Sequence, residues 1–176
     1  MIRRCTADDF DRILAIINDA ARAYRGVIPD DRWKDPYMPA GELAEEIAAG
    51  IDFDGYEIEG AGLVGVMGIQ PVEDVTLIRH AYVATAYRRS GIGSALLEGL
   101  LARQDRPVLI GTWAAAGWAI AFYRRYGFET VPEPEKTRLL QRYWTVPERQ
   151  IETSVVLADS RWRSRAYGAG ETGAGD

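Results

Sequence analysis

Cysteine, histidine and lysine are all scarce in this sequence of 176 residues. Cys5 is the only cysteine, so no disulfide can form within the chain, which suits a reducing compartment. His80 is the only histidine, and with Cys5 it falls well short of the roughly four Cys or His ligands that structural zinc takes, which leaves only a carboxylate site for magnesium or calcium open. The spacing of an EF-hand is missing as well. No apolar run approaches the ~18 residues of a membrane span. The first residues, Met1 to Asp9, lack the apolar core of a secretory leader, so the expectation is a cytoplasmic protein. Lysine occurs only at Lys34 and Lys136, against 19 arginines, a bias that points to a GC-rich bacterial genome. With 21 basic and 26 acidic residues the net charge is −5. That argues against a general nucleic-acid partner and requires any anionic ligand to meet a local basic patch.

The composition, 47% hydrophobic and 27% charged, is that of a soluble globular protein, and the length suits one domain. Thr6 followed by Asp9 resembles a capping box. Phe10, Ile13, Leu14, Ile17, Ala20, Ala21 and Tyr24 then recur at helical spacing, predicting a helix over roughly 7–24 after a first strand at Ile2–Cys5. Residues 27–40 read as loop and 41–49 as a short helix. Strands are expected near 52–59, 62–70 and 75–84, the first two joined by Gly60-Ala61-Gly62 as a hairpin. A helix over 91–103, a buried strand at Val108-Leu109-Ile110, a helix near 117–126 and a strand from Phe128 to Val131 follow. A helix over 134–144 and a strand over 150–158 complete a seven-stranded α/β domain with a mixed sheet. Residues 1–158 form that domain, and 159–176, rich in arginine and then glycine, are expected to be a flexible tail.

The most informative segment runs from Val83 to Gly93. A strand ends, Arg88 and Arg89 arrive, and Gly91 and Gly93 open a helix. Amides at a helix start have no partner inside the helix and sit at the positive end of its dipole, and glycine lets a phosphate approach them. A Walker loop would need a lysine that is absent here, and a dinucleotide fingerprint a small residue where Leu96 stands. Coenzyme A remains as the common phosphate-bearing ligand. Arg88-Arg89-Ser90-Gly91-Ile92-Gly93 is similar to the pyrophosphate loop, Arg/Gln-x-x-Gly-x-Gly/Ala, of the GNAT superfamily of N-acetyltransferases, and Val83 lies eight residues before the first glycine, as in that family. Ala119-Ile-Ala-Phe-Tyr123-Arg-Arg-Tyr-Gly127-Phe128 resembles the family's second motif, a helix bearing a tyrosine and then Gly-Phe entering a strand. Two positions depart from the family: Ala116 stands where asparagine is frequent, and the strand before Val83 lacks the frequent glutamate.

The resemblance covers residues 1 to about 158. It implies a mainly antiparallel seven-stranded sheet with flanking helices and a splayed central strand pair, and acetyl-CoA as co-substrate without a metal. It further implies that Arg88, Arg89, Ser90, Gly91, Ile92, Gly93 and Ser94 hold the pyrophosphate, and that backbone amides near Tyr82 and Val83 hold the thioester carbonyl. Tyr123 would then protonate the departing thiolate. For the base, His80 is the one side chain whose ordinary titration range lies near neutrality. Strand alternation places it with Tyr82 on one face and Arg79 with Ala81 on the other, unless a bulge shifts the parity; water is the alternative base. Tyr24, Trp33 and Tyr37 are the candidate wall of the acceptor pocket, with Asp30, Asp31 and Asp35 as candidate partners of the amine. The expected activity is acetyl transfer to a primary amine of a small or amino-acid-like acceptor, without a nucleic-acid or membrane partner; a homodimer is left open. A non-catalytic coenzyme A sensor and an acetyltransferase of protein N-termini or lysines are the alternatives.

Overall fold

Local chemistry sets the first helix. The Thr6 amide donates to the Asp9 carboxylate at 2.8 Å, and a single tight turn leads into α1, Phe10–Ala21. Its buried stripe is Ile13, Ile16, Ile17, Ala20 and Ala21. The computed structural model describes residues 1–168. The expected tail residues 169–176 lie outside them.

The other elements are β1 (Ile2–Arg4), α2 (Ala40–Ala48), β2 (Asp52–Ile58), β3 (Gly62–Val72), β4 (Val75–Val83), α3 (Ile92–Leu101), β5 (Val108–Trp113), α4 (Gly117–Arg124), β6 (Glu129–Thr130), α5 (Glu135–Leu139), α6 (Glu148–Thr153), β7 (Ser154–Ala158) and α7 (Ser160–Tyr167). The seven strands form one sheet in the order β1-β2-β3-β4-β5-β7-β6, mostly antiparallel, with β4 and β5 parallel. This is the mixed α/β architecture expected from the sequence. The chain divides into two compact units, Met1–Pro71 with Ile78–Gln104, and Val72–Leu77 with the residues from Asp105 onward.

In the first unit β2 pairs antiparallel with β1 and with β3. The hairpin glycines Gly60 and Gly62 both take positive φ, 78° and 73°, where a side chain would be strained. Ile13, Ile16 and Ile17 of α1 and Leu43 of α2 pack with Phe53, Leu63 and Val66. Ile92 and Leu96 of α3 lie against Gly65. Residues 63–68 of β3 are therefore buried without alternation, as a strand covered on both faces must be.

In the second unit β7 pairs antiparallel with both β5 and β6. Val75, Leu77, Leu109, Val131, Tyr143, Val156 and Trp162 share its core. Three expectations change here. The helix expected over 134–144 is α5 continued by a wider π-type turn through Leu140–Trp144, stopped at Thr145 with φ 52°. The strand expected over 150–158 is shorter, because the Pro147 carbonyl accepts the Gln150 and Ile151 amides and starts α6, which puts Ile151 into the core. The tail expected from 159 begins instead as α7: Asp159 caps it by accepting the Trp162 amide at 2.9 Å, and the Trp162 ring is buried.

Candidate functional site

The glycine turn lies in the first unit. Gly91 has φ 80°, and a Cβ built on it would meet nothing within 4 Å, so the backbone before α3 faces open space. The first amides of α3, on Ile92, Gly93 and Ser94, have no partner inside the helix. Ser90 donates its hydroxyl to the Tyr87 carbonyl, and Arg89 takes φ 61°, which folds the loop tightly. Two bonds moor the loop to the end of α1. The Asp19 carboxylate accepts the Thr85 amide at 2.6 Å, and Arg88 donates to the Ala20 carbonyl at 2.9 Å. A cation on the last carbonyls of a helix is favoured by the dipole. Arg88 thus spends at least one donor on structure, while the exposed Arg89 adds to the local positive charge. The Ile92 side chain is buried, so only its amide is available to a ligand. A free amide row, an open glycine and two arginines fit a pyrophosphate.

Next to this loop in sequence, β4 departs from regular geometry. His80 has φ 51°, in the left-handed region that a strand residue other than glycine rarely enters. Consecutive strand residues should point to opposite faces. Here Arg79 and His80 both reach the same carboxylate, Glu46 of α2: Arg79 through Nη2 at 3.3 Å to Oε1, His80 through Nε2 to Oε2. This is the parity shift that simple alternation misses. Gly68 of β3 accommodates it, because the Arg79 carbonyl oxygen comes within 2.6 Å of where a Cβ would stand. Arg79 also donates to Gln70, and Gln70 to the Ala49 carbonyl at the end of α2, so helix and strands are tied together.

Burial pushes the Glu46 carboxyl up, but the His80 hydrogen bond and the charges of His80, Arg79 and Lys34 outweigh it and hold it below the usual range. His80 stacks between Phe53 and Tyr82, with ring centroids 6.3 and 6.5 Å away. The run continues from Tyr82 to Tyr24 at 6.3 Å, to Tyr37 at a further 5.5 Å and to Trp33 at 5.8 Å. Burial first, then the charge interactions with Tyr24 and Tyr37 and after them the hydrogen bonds to the same two residues, raise the Tyr82 phenol well above its ordinary value. The Tyr82 ring is therefore committed to this wall, leaving its backbone for any other task. Asn18 of α1 holds the loop beneath by a reciprocal pair, accepting the Met38 amide at 2.8 Å and donating to the Met38 carbonyl at 2.9 Å. The three aromatic residues expected to wall an acceptor pocket are thus together, while Asp30, Asp31 and Asp35 are exposed.

In the second unit the Tyr123 motif has a structural cause. The Phe128 amide donates to the Tyr123 carbonyl at 3.3 Å, and the Gly127 amide to Arg124 at 3.1 Å, with Gly127 at φ 84°. That pair of bonds is the Schellman stop, whose apolar contact joins the residues five apart. Tyr123 and Phe128 are those residues, their rings 6.0 Å apart edge to face. Phe122 lies 5.1 Å away on the other side, and Tyr123 is 6% exposed. Phe122 and Tyr126 are half-buried. Ala116, fully buried just before α4, offers no side-chain cap.

Glu46 and Asp19 were not among the residues singled out from the sequence. Each works across at least 34 positions, and neither lies in a motif. Among the described residues no group of three His, Cys, Asp or Glu side chains is placed to hold a metal ion, and no helix is long and apolar enough to cross a membrane.

Residues 54–130 match the family model of an acetyltransferase (GNAT) domain. No curated protein matches the chain by sequence. Among solved structures the chain is similar to the PaiA N-acetyltransferase of Thermoplasma acidophilum, in complex with coenzyme A. The two share 15% identity over 90% of this chain and 97% of that one, with a TM-score of 0.65. A GNAT-family acetyltransferase of Staphylococcus aureus is alike at 17% identity over the same shares, with a TM-score of 0.65. The ribosomal-protein-alanine N-acetyltransferase of Brucella melitensis follows at 22% identity, again covering 90% and 97%, with a TM-score of 0.61.

Proposed function

From the premise that this chain carries a GNAT domain and is an acetyl-CoA-dependent N-acetyltransferase, we propose that it acetylates a primary amine of a small or amino-acid-like acceptor. The observation that carries the acceptor class is the unbroken run Phe53–His80–Tyr82–Tyr24–Tyr37–Trp33. Aromatic faces attract an ammonium group and the carbon skeleton beside it, and a wall of this kind suits a compact molecule.

The chemistry asks for three things. The ammonium must lose a proton, the thioester oxygen must be stabilised as charge builds on it, and the thiolate must leave. His80 takes the proton. Amides at Tyr82 and Val83 donate to the carbonyl oxygen, where preorganised donors matter most. Tyr123 gives its phenolic proton to the sulfur. The pyrophosphate is held by the amides of Ile92, Gly93 and Ser94 at the open turn of Gly91, with Arg88, Arg89 and Ser90 around it.

Ribosomal-protein-alanine N-acetyltransferases among the similar structures support a second reading, in which the acceptor is a peptide N-terminus. Thiol release from acetyl-CoA, measured over one panel of small amines and short peptides, decides between them. Turnover with small amines supports the proposal, and turnover confined to peptides refutes it.

A further inference from the structure

His80 meets Glu46 through Nε2, and a carboxylate can only accept a hydrogen bond. The hydrogen between them therefore belongs to Nε2, and in the neutral ring Nδ1 is the nitrogen left to take a proton. We propose that Glu46 is a positioning residue for acetyl transfer, fixing His80 in the Nε2–H form so that Nδ1 receives the acceptor's proton. This rests on the reading of His80 as the base.

Several independent features fix the arrangement. The left-handed backbone at His80 turns the ring toward α2, where regular alternation would not send Arg79 and His80 to one carboxylate. Phe53 and Tyr82 stack on the imidazole and set its plane. Arg79 takes the other Glu46 oxygen, which keeps the carboxylate from rotating away. The side chains of Glu46 and His80 are 20% and 14% exposed, so the pair is shielded without being sealed from a ligand. The charged and titratable groups facing this pair are Arg79 and Tyr82 from β4 and Lys34 from the loop before α2.

The step balances. The ammonium N–H bond breaks and its proton forms a new N–H bond at Nδ1. The freed lone pair forms an N–C bond at the thioester carbon, the C–S bond breaks and the sulfur leaves with the bonding pair. The second proton shed by the acetylated nitrogen ends on that sulfur, so the products are amide, thiol and imidazolium. The imidazolium so formed sits beside the Glu46 carboxylate, which stabilises it. The structure thus places on α2 a carboxylate serving the strand, which itself carries no glutamate between Val75 and Val83.

One histidine in the chain makes the test direct, because a protein labelled with 15N-histidine gives a single imidazole spin system. Long-range 1H–15N correlations on the wild type above the titration of the ring should show the hydrogen on Nε2. Glu46→Gln should lower kcat roughly 10- to 100-fold, the usual cost of losing a histidine's orienting partner. Its acceptor KM and its coenzyme A thermal shift should hold. A wild-type ring protonated on Nδ1 overturns the proposal. So does a folded Glu46→Gln protein with wild-type kcat. Failure of the underlying reading shows differently: His80→Ala then keeps full activity while the wild-type spectrum still reports Nε2–H.

Discussion

Replacing Gly68 by alanine tests the bulge on which the candidate base depends. A Cβ there would stand 2.6 Å from the Arg79 carbonyl oxygen, 3.0 Å from Ile51 Cγ2 and 3.2 Å from Phe53 Cε1. The nearest atom is backbone and cannot swing aside as a side-chain tip would. Overpacking a fitted interior by one methyl costs about 1–3 kcal/mol. In a protein of this size each kcal/mol lowers Tm by about 2–4 °C, so the expected fall is roughly 2–12 °C. Relief requires β4 to retreat at residue 79, which carries His80 away from Glu46 and Tyr82, so kcat should fall along with stability. Gly41→Ala is the control. It lies in α2 with nothing within 4 Å of its Cβ, and there the loss of backbone freedom in the unfolded chain should raise stability by up to about 1 kcal/mol. Differential scanning fluorimetry and thiol-release kinetics on the two variants decide the matter. A Gly68→Ala protein with wild-type Tm and kcat would refute the reasoning.

Gly91→Glu should abolish the thermal shift given by coenzyme A, about 2.7 kcal/mol at a hundredfold excess over Kd, because it strains φ 80° and puts a carboxylate where the pyrophosphate is proposed to lie; an unaltered shift refutes that placement. Tyr123→Phe keeps the ring against Phe128 and removes the hydroxyl, so kcat should fall about 10²- to 10⁴-fold with the coenzyme A shift intact. Unchanged turnover, with chemistry rate-limiting, would exclude it as the acid. Asp9 is held at about 2 by its two bonds from Arg3, each 2.9 Å, helped by the Thr6 amide. A carboxyl with a depressed folded value stabilises fully above its unfolded value near ~3.9 and loses that contribution as pH falls through about 2. Allowing for solvent screening at this part-exposed site, Asp9→Asn should cost about 1 kcal/mol at neutral pH. That difference from wild type should shrink in urea titrations taken toward pH 2; a constant difference counts against the pairing.

What was legible in the sequence is what is local. The Tyr123–Gly127–Phe128 spacing could be read because a Schellman stop is built from six consecutive residues, and the glycine turn because positive φ and a free amide row are written in Gly91 and its neighbours. The seven strands followed from the same short-range patterning. The errors lie where tertiary contact overrides pattern. Residues 150–153 are expected in the last strand, but they follow Pro147, whose carbonyl collects two amides and makes a helix. Residues 160–167 look like a charged tail, yet Arg163 pairs with Glu129 and Arg165 with Asp74, and Trp162 is buried in the core.

The same contrast governs the candidate site. Tyr24, Trp33 and Tyr37 could be grouped from sequence because one loop carries Trp33 and Tyr37 and α1 ends beside it. Glu46 could not, for two separable reasons. It lies 34 positions from its partner, and the alternation rule that would pair residues across a helix–strand contact fails where His80 leaves the β region. A strand of regular geometry would have sent Arg79 away from α2 and left Glu46 with one partner. The left-handed residue sends both to it, and Gly68 makes room for the carbonyl that this conformation displaces. The missing glutamate of β4, seen in isolation, suggests a weakened enzyme. Seen with the bulge, the carboxylate that meets the strand's histidine is Glu46 of α2, which holds it from the side.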